Sequence, residues 1–253
     1  MKSFLKKLIP FFLWDRVRVS YFYTRRFLLD ALVVIELAHP LEGLKVFSLI
    51  RMVRPEYSMV PATRLRLLYD LSKKIVIEKI PGSLVECGTY NGGSAALMAY
   101  AQLRLSSERT LWLFDSFEGL PPPTENDGSY ERENYYKGWC GGTAEKVEEI
   151  FKTIKFPRER LHIIKGWFEN TFPHEATKVK PIALLHIDAD WYESVKICIE
   201  TFYPMVSSGG YIVFDDYGTF SGCKKALHEY LDTHHIEVEL QTRDNGGVYF
   251  KKP

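Results

Sequence analysis

The sequence predicts an α/β fold: a doubly wound, mostly parallel sheet with a C-terminal antiparallel strand and an N-terminal helical extension. Three observations predict it. From residue 83 onward, short apolar runs alternate with helix-length segments, the pattern of parallel strands joined by crossover helices. Several of these runs, such as TLWLFD at 110–115 and IALLHID at 182–188, are continuously apolar, as strands covered by helices on both faces require. Their acidic residues gather at the carboxyl ends, where sheets of this kind bind ligands.

Residues 1–55 read as the helical extension, rich in aromatics (Phe11, Phe12, Trp14, Tyr21, Phe22, Tyr23). It opens MKSFLKKLIPFFLW and continues Asp15-Arg16-Val17-Arg18, without the small-residue cleavage site of a signal peptide. Asp30 and Glu36 break the next apolar stretch, which is too short to span a bilayer. The extension suits a docking helix with a solvated basic face, or peripheral membrane contact through residues 1–40. Its aromatics also make a self-associating homo-oligomer the expected assembly.

The second domain, 56–253, starts with a helix over 61–80, striped by Leu65, Leu68, Leu71, Ile75 and Ile80 and stopped at Pro81-Gly82. Strands are expected at 83–86, 110–115, 161–164, 182–188 and 211–215, and helices at 92–105, 143–154, 193–205 and 224–231. Residues 238–240 and 247–250 read as a closing hairpin around Asp244-Asn245-Gly246. The segment 118–142 carries three consecutive prolines with Tyr130, Tyr135, Tyr136 and Trp139. A stretch this long without regular structure is expected to be a lid.

Composition narrows the function. With 46% hydrophobic and 26% charged residues, the chain is not disordered. A formal net charge of +1 excludes a nucleic-acid binder that works by bulk positive charge. Cys87, Cys140, Cys198 and Cys223 form no C-x-x-C pair, so they read as scattered thiols in a reducing cytoplasm, not a zinc site or disulfide framework.

The chemistry collects at four strand ends. The first reads Val85-Glu86-Cys87-Gly88-Thr89-Tyr90-Asn91-Gly92-Gly93; its glycines admit a close ligand and the following helix offers free N–H groups, but the spacing is not that of a dinucleotide fingerprint. The second ends in Asp115, placed to accept ribose hydroxyls or to cap a loop. The third and fourth carry Asp188 with Asp190, and Asp215 with Asp216. Two carboxylates ~4 Å apart repel by about 4 kcal/mol at an effective dielectric of 20, so protons or a cation must relieve the cluster. Oxygen ligands favour a hard ion, Mg²⁺ before Mn²⁺ or Ca²⁺. Taken singly, Asp190 and Asp216 also suit helix or turn caps.

The runs LVECGTYNGGSA, LFDSFEGLPPP, HIDADWYESV and SSGGYIVFDDYG resemble the macrocin O-methyltransferase family, metal-dependent sugar O-methyltransferases that use S-adenosylmethionine, over about residues 56–250. The resemblance implies the Rossmann-like class I methyltransferase fold. It also implies a cofactor site at Met59, Glu86, Gly88, Tyr90, Asp115 and Ser116, a metal triad of Asp188, Asp215 and Asp216 holding Mg²⁺ (or Mn²⁺), and Asp190 as general base with Asp188 beside it. The implied acceptor is a small-molecule or glycan hydroxyl on a glycosylated natural product or surface polysaccharide; a small phenol stays open. His186, two residues inside its strand end, reads as a buried structural residue. Rival readings of the same acids are a haloacid-dehalogenase-like phosphatase with Asp188 as nucleophile, an Asp-x-Asp glycosyltransferase, and an inactive methyltransferase-fold subunit.

Overall fold

The computed structural model describes residues 40–179 and 181–253. The expectations for residues 1–39 lie outside the described residues. The chain divides into two compact units, 1–51 and 52–253. A helix, α1 (Pro40–Val53), covers the described part of the first unit and enters the second. No described helix is long and apolar enough to cross a membrane.

In the second unit, α2 (Ala62–Ile77) begins behind Pro61 and ends before Pro81-Gly82. There follow β1 (Ser83–Cys87), α3 (Gly93–Arg104) and β2 (Leu111–Asp115). Next come a short α4 (Ser129–Asn134) and α5 (Ala144–Thr153), the latter started by the Thr143 side chain accepting from the Lys146 N–H. The chain continues through β3 (Leu161–Lys165), α6 (Phe168–Glu175), β4 (Ile182–Ile187), α7 (Tyr192–Phe202), β5 (Val206–Phe214), α8 (Ser221–Thr233) and β6 (Val248–Lys251). The sheet order is β3-β2-β1-β4-β5-β6, parallel except for β6, which runs antiparallel to β5. The doubly wound fold is therefore present, and its switch point falls between β1 and β4.

The two sheet faces follow from strand alternation. Val85, Cys87, Phe114, Leu185, Ile187, Ile212 and Phe214 share one core with α6, α7 and α8. The residues between them, Leu84, Leu113, Leu184 and Val213, are buried on the opposite face, where α2 and α3 pack. β4 is buried along its whole length, which explains why it reads as one unbroken apolar run.

Three local expectations change. Residues 238–240 form no strand; the predicted hairpin reduces to one antiparallel bridge, Gln241 to Tyr249, while the partly buried Val238 and Leu240 pack against the core. β5 begins at Val206, earlier than expected, since Gly209 at φ +79° and Gly210 hide its first half. The helix α6, broken in sequence by an internal Pro173, was not anticipated.

Candidate active site

The strand ladders run one residue past the strands and bind their tips together. Gly88 N–H donates to the Phe114 carbonyl at 2.9 Å, Asp188 N–H to Cys87 at 2.8 Å, and Asp215 N–H to Ile187 at 3.0 Å. Gly88 lies at φ +86°, and a Cβ there would fall 1.7 Å from the Asp188 carbonyl oxygen. Glycine alone fits this contact, which places the β1 turn against the β4 tip. Above the tips opens a cavity of about 510 Å³, a size suited to a small-molecule ligand.

Met59, Gly88, Tyr90, Asp115 and Ser116 all line it, as do Asp188, Asp190, Asp215 and Asp216. Glu86 is the exception. In register, Glu86 stands beside His186 of β4, and both side chains point to the face covered by α2 and α3. There Glu86 is fully buried, absent from the cavity wall, and bonded to His186 Nδ1 at 2.9 Å. The expectation of direct cofactor contact by Glu86 is thus corrected. Strand alternation turns its side chain behind the wall, where it fixes His186.

His186 is buried as expected. Burial alone would lower its pKa, but the Asp215 carboxylate, 3.9 Å from Nε2, and the Glu86 carboxylate together lift it to about 9. The imidazolium so formed balances part of the negative charge above it.

The acids of the cavity fall into two groups. Asp115 is engaged by the protein itself: Oδ2 accepts from the Thr89 and Tyr90 N–H groups at 2.7 and 2.8 Å, and Oδ1 from Phe117 at 2.6 Å. Burial raises its pKa while these donors oppose the rise. Asp188, Asp215 and Asp216 instead crowd one another, with an oxygen from each lying within 4.8 Å of the others. Burial, then the charges of Asp215, Asp216 and Asp190, push Asp188 well above the usual carboxylate range. Burial and Asp216 do the same to Asp190. Asp216 rises to about 7 through burial and Asp215, in spite of the Arg64 guanidinium. Asp215 Oδ1 is buried with no hydrogen-bond partner. An all-oxygen donor set with an orphaned oxygen fits a hard divalent cation. Asp190 sits at φ +53°, a left-handed conformation that an Asp tolerates better than most residues; its N–H reaches Asp216 Oδ2 at 3.3 Å.

The 118–142 segment is ordered and fastened to the β4–α7 loop. The buried Asp127 carboxylate accepts from Tyr192 N–H at 2.8 Å with one oxygen and from Thr124 N–H at 2.8 Å with the other. The Trp191 indole donates to the Pro121 carbonyl at 2.8 Å, and Trp139 packs edge-on against Trp191 at 5.8 Å. Cys140 also faces the cavity; burial and the nearby acids push its thiol up to about 12, so it is a poor nucleophile.

Sequence reasoning missed Arg64, Asp127, Ser94 and Trp167, which also line the cavity. Trp167 lies two residues past the end of β3, so the strand-end rule could have found it. Arg64 and Asp127 lie on a helix and in a loop, where no local pattern marks them.

The sheet order, the glycine turn at β1 and the acids at β2 and β4 define a Rossmann-like methyltransferase. The profile of the macrocin-O-methyltransferase (TylF) family matches residues 52–252, and the chain belongs to that family, S-adenosylmethionine-dependent sugar O-methyltransferases. It is 31% identical over 200 residues to a demethyldecarbamoylnovobiocin O-methyltransferase of Streptomyces niveus, covering 78% of this chain and 76% of the relative. It is 29% identical over 203 residues to a mycinamicin III 3''-O-methyltransferase of Micromonospora griseorubida, covering 78% of each. The solved structure of the O-methyltransferase NovP superposes with a TM-score of 0.73 at 29% identity, over 83% of this chain and 98% of that one. An O-methyltransferase leaves no place for the phosphatase and glycosyltransferase readings of Asp188.

Proposed function

We propose that this O-methyltransferase depends on a divalent cation, Mg²⁺ or Mn²⁺, and methylates a sugar hydroxyl on a glycosylated natural product or a surface polysaccharide. The observation that carries the proposal is the crowding of Asp188, Asp215 and Asp216 within 4.8 Å on the cavity floor, with one buried oxygen left without a hydrogen bond. These three residues would hold the ion. A bound divalent cation supplies Lewis acidity, lowering the pKa of a coordinated hydroxyl and fixing its direction.

The chain's own residues do the rest. Asp190, raised by burial and its acidic neighbours, is the base that takes the acceptor proton; a raised pKa suits that task near neutral pH. Gly88 admits the methyl donor close to the β1–β4 crevice, and Tyr90, Asp115 and Ser116 hold its adenosyl end. Met59, half-exposed at the rim, covers the methionine end. S-adenosylmethionine brings a methyl group on a sulfonium: the O–CH₃ bond forms as the S–CH₃ bond breaks, S-adenosylhomocysteine leaves, and the proton stays on Asp190. Alignment of these groups supplies most of the acceleration. The wider proposal is a cytoplasmic homo-oligomer with peripheral membrane contact through residues 1–40, which sedimentation and liposome flotation check.

Calorimetry with S-adenosylhomocysteine, with and without Mg²⁺, followed by a screen of sugar acceptors, tests the proposal. Product binding and metal-dependent methylation of a glycoside are expected. Full turnover after exhaustive chelation would overturn the cation, and methylation confined to non-sugar acceptors would overturn the substrate class.

A further inference from the structure

We infer that Arg64 is a positioning residue for the carboxylate cluster, seated in a cradle made by the 244–247 turn and holding Asp215 between its own guanidinium and the His186 ring; this rests on the divalent-cation reading above. Arg64 lies in the first turn of α2, far in sequence from every acid it meets. Its side chain is 10% exposed, and Nη1 lies 3.2 Å from Asp215 Oδ2 while also donating to the Asp215 main-chain carbonyl. One guanidinium thus engages both the backbone and one carboxylate oxygen of the same residue. The other oxygen, Oδ1, is buried without a hydrogen-bond partner and stands 3.9 Å from His186 Nε2.

The cradle gives a second role to the Asp-Asn-Gly-Gly run at 244–247, the turn behind the Gln241–Tyr249 bridge. Asp244 Oδ1 accepts from Gly246 and Gly247 N–H at 2.9 and 3.1 Å, and Oδ2 from the Thr63 hydroxyl at 2.8 Å. The same Oδ2 stands 3.5 Å from Arg64 Nε. A Cβ on Gly246 would fall 2.7 Å from Arg64 Nη1, and one on Gly247 2.8 Å from Arg64 Cδ. The two glycines leave the space through which the arginine runs. A lysine in its place would keep the charge but has one nitrogen, and could not face Asp215 as Nη1 does and Asp244 as Nε does at once.

Charge alone predicts the opposite of positioning. A fixed cation beside a cation site repels the incoming ion, so its removal by itself would tighten binding. Mn²⁺ titration of the full chain, by calorimetry and electron paramagnetic resonance, separates the two. The samples are wild type, Arg64→Lys, Arg64→Ala, Asp244→Asn and Gly247→Ala, each with a melting curve. We expect both Arg64 variants to bind Mn²⁺ about tenfold more weakly or worse, and the two cradle variants more weakly by a smaller factor, with S-adenosylhomocysteine affinity in chelator unchanged throughout. Unchanged or tighter Mn²⁺ binding by Arg64→Lys and Gly247→Ala overturns the inference, even if those variants melt earlier. A wild-type protein that takes no Mn²⁺ overturns the divalent-cation reading beneath it.

Discussion

The tips of β1 and β2 and the tips of β4 and β5 stand side by side on one edge of the sheet, and both are acidic, yet they treat their acids differently. Glu86 is bonded to His186, and Asp115 is surrounded by three backbone N–H donors. Those acids build the loops that shape the cavity. At the β4 and β5 tips the acids face one another, and burial with mutual repulsion raises Asp188 and Asp216. Both Asp115 oxygens and one Glu86 oxygen are engaged by the fold, Glu86 Oε2 being buried without a hydrogen-bond partner; at the second pair the carboxylates crowd one another. A strand-end acid is therefore informative through its partners more than through its position.

The sharpest way to break this contrast is to remove one acid from each side. Asp188→Ala and Asp215→Ala should cut methyl transfer by roughly three orders of magnitude, the equivalent of about 4 kcal/mol of transition-state stabilisation, while S-adenosylhomocysteine binds nearly as before. Asp115→Ala should do the reverse, with its largest effect on product affinity. It should also lose roughly 1–3 kcal/mol of stability, because three N–H groups lose their acceptor. Paired calorimetry and initial-rate measurements check both. Equal losses of product affinity on the two sides would erase the distinction.

Within the acidic side, Asp190 is set apart from the triad. Asp190→Asn should lower kcat by about 10²–10⁴-fold, the usual range for a lost general base, with Mn²⁺ affinity close to wild type. A variant that instead lost the metal and kept its rate at saturating Mn²⁺ would make Asp190 a ligand, not a base.

The two sides meet at Gly88. Its left-handed backbone and its close approach to the Asp188 carbonyl mean that Gly88→Ala must move one tip away from the other. A stability loss above ~1 kcal/mol is expected from the backbone conformation alone, with further loss from the overlap, read as a lower midpoint in urea. Unaltered stability and unaltered turnover would show that the tips can separate freely.

How much of this was legible in the sequence depends on the range of the interactions. Asp115, Asp188, Asp215 and Asp216 stood out because each ends a buried apolar run, and strand burial is a local pattern. Glu86 carried the same mark and misled, because alternation over one residue decides which side of the sheet receives it. Arg64 carried no mark. It occupies an ordinary place on an amphipathic helix, and its meaning lies in contacts with Asp215 and the 244–247 turn that only folding creates. That turn does close the Gln241–Tyr249 bridge, as its composition suggests, but its glycines also accommodate an arginine from the other end of the domain. Residues 238–240 show the alternation of an edge strand, but Val238 and Leu240 use it to pack against the core without pairing.

The gentlest probe of the contrast is pH without metal. A carboxyl whose folded pKa is raised keeps a proton that the unfolded chain has already released, so stability falls as pH climbs between the two values. Asp216 moves from 3.8 to about 7, and Asp188 and Asp190 shift in the same direction. His186 adds to the trend at higher pH: raised from 6.5 to about 9, it contributes stability below about 6.5 that is lost as pH rises through about 9. In chelator, the melting temperature should therefore drop from pH 5 to pH 8. Mg²⁺ should flatten or reverse the drop, since cation binding favours the ionised carboxylates. Asp216→Asn should lose part of the slope, because the amide has no proton to release. A metal-free melting temperature that stays level or rises over this interval would mean the β4 and β5 acids are as well satisfied by the fold as Asp115 at the β2 tip.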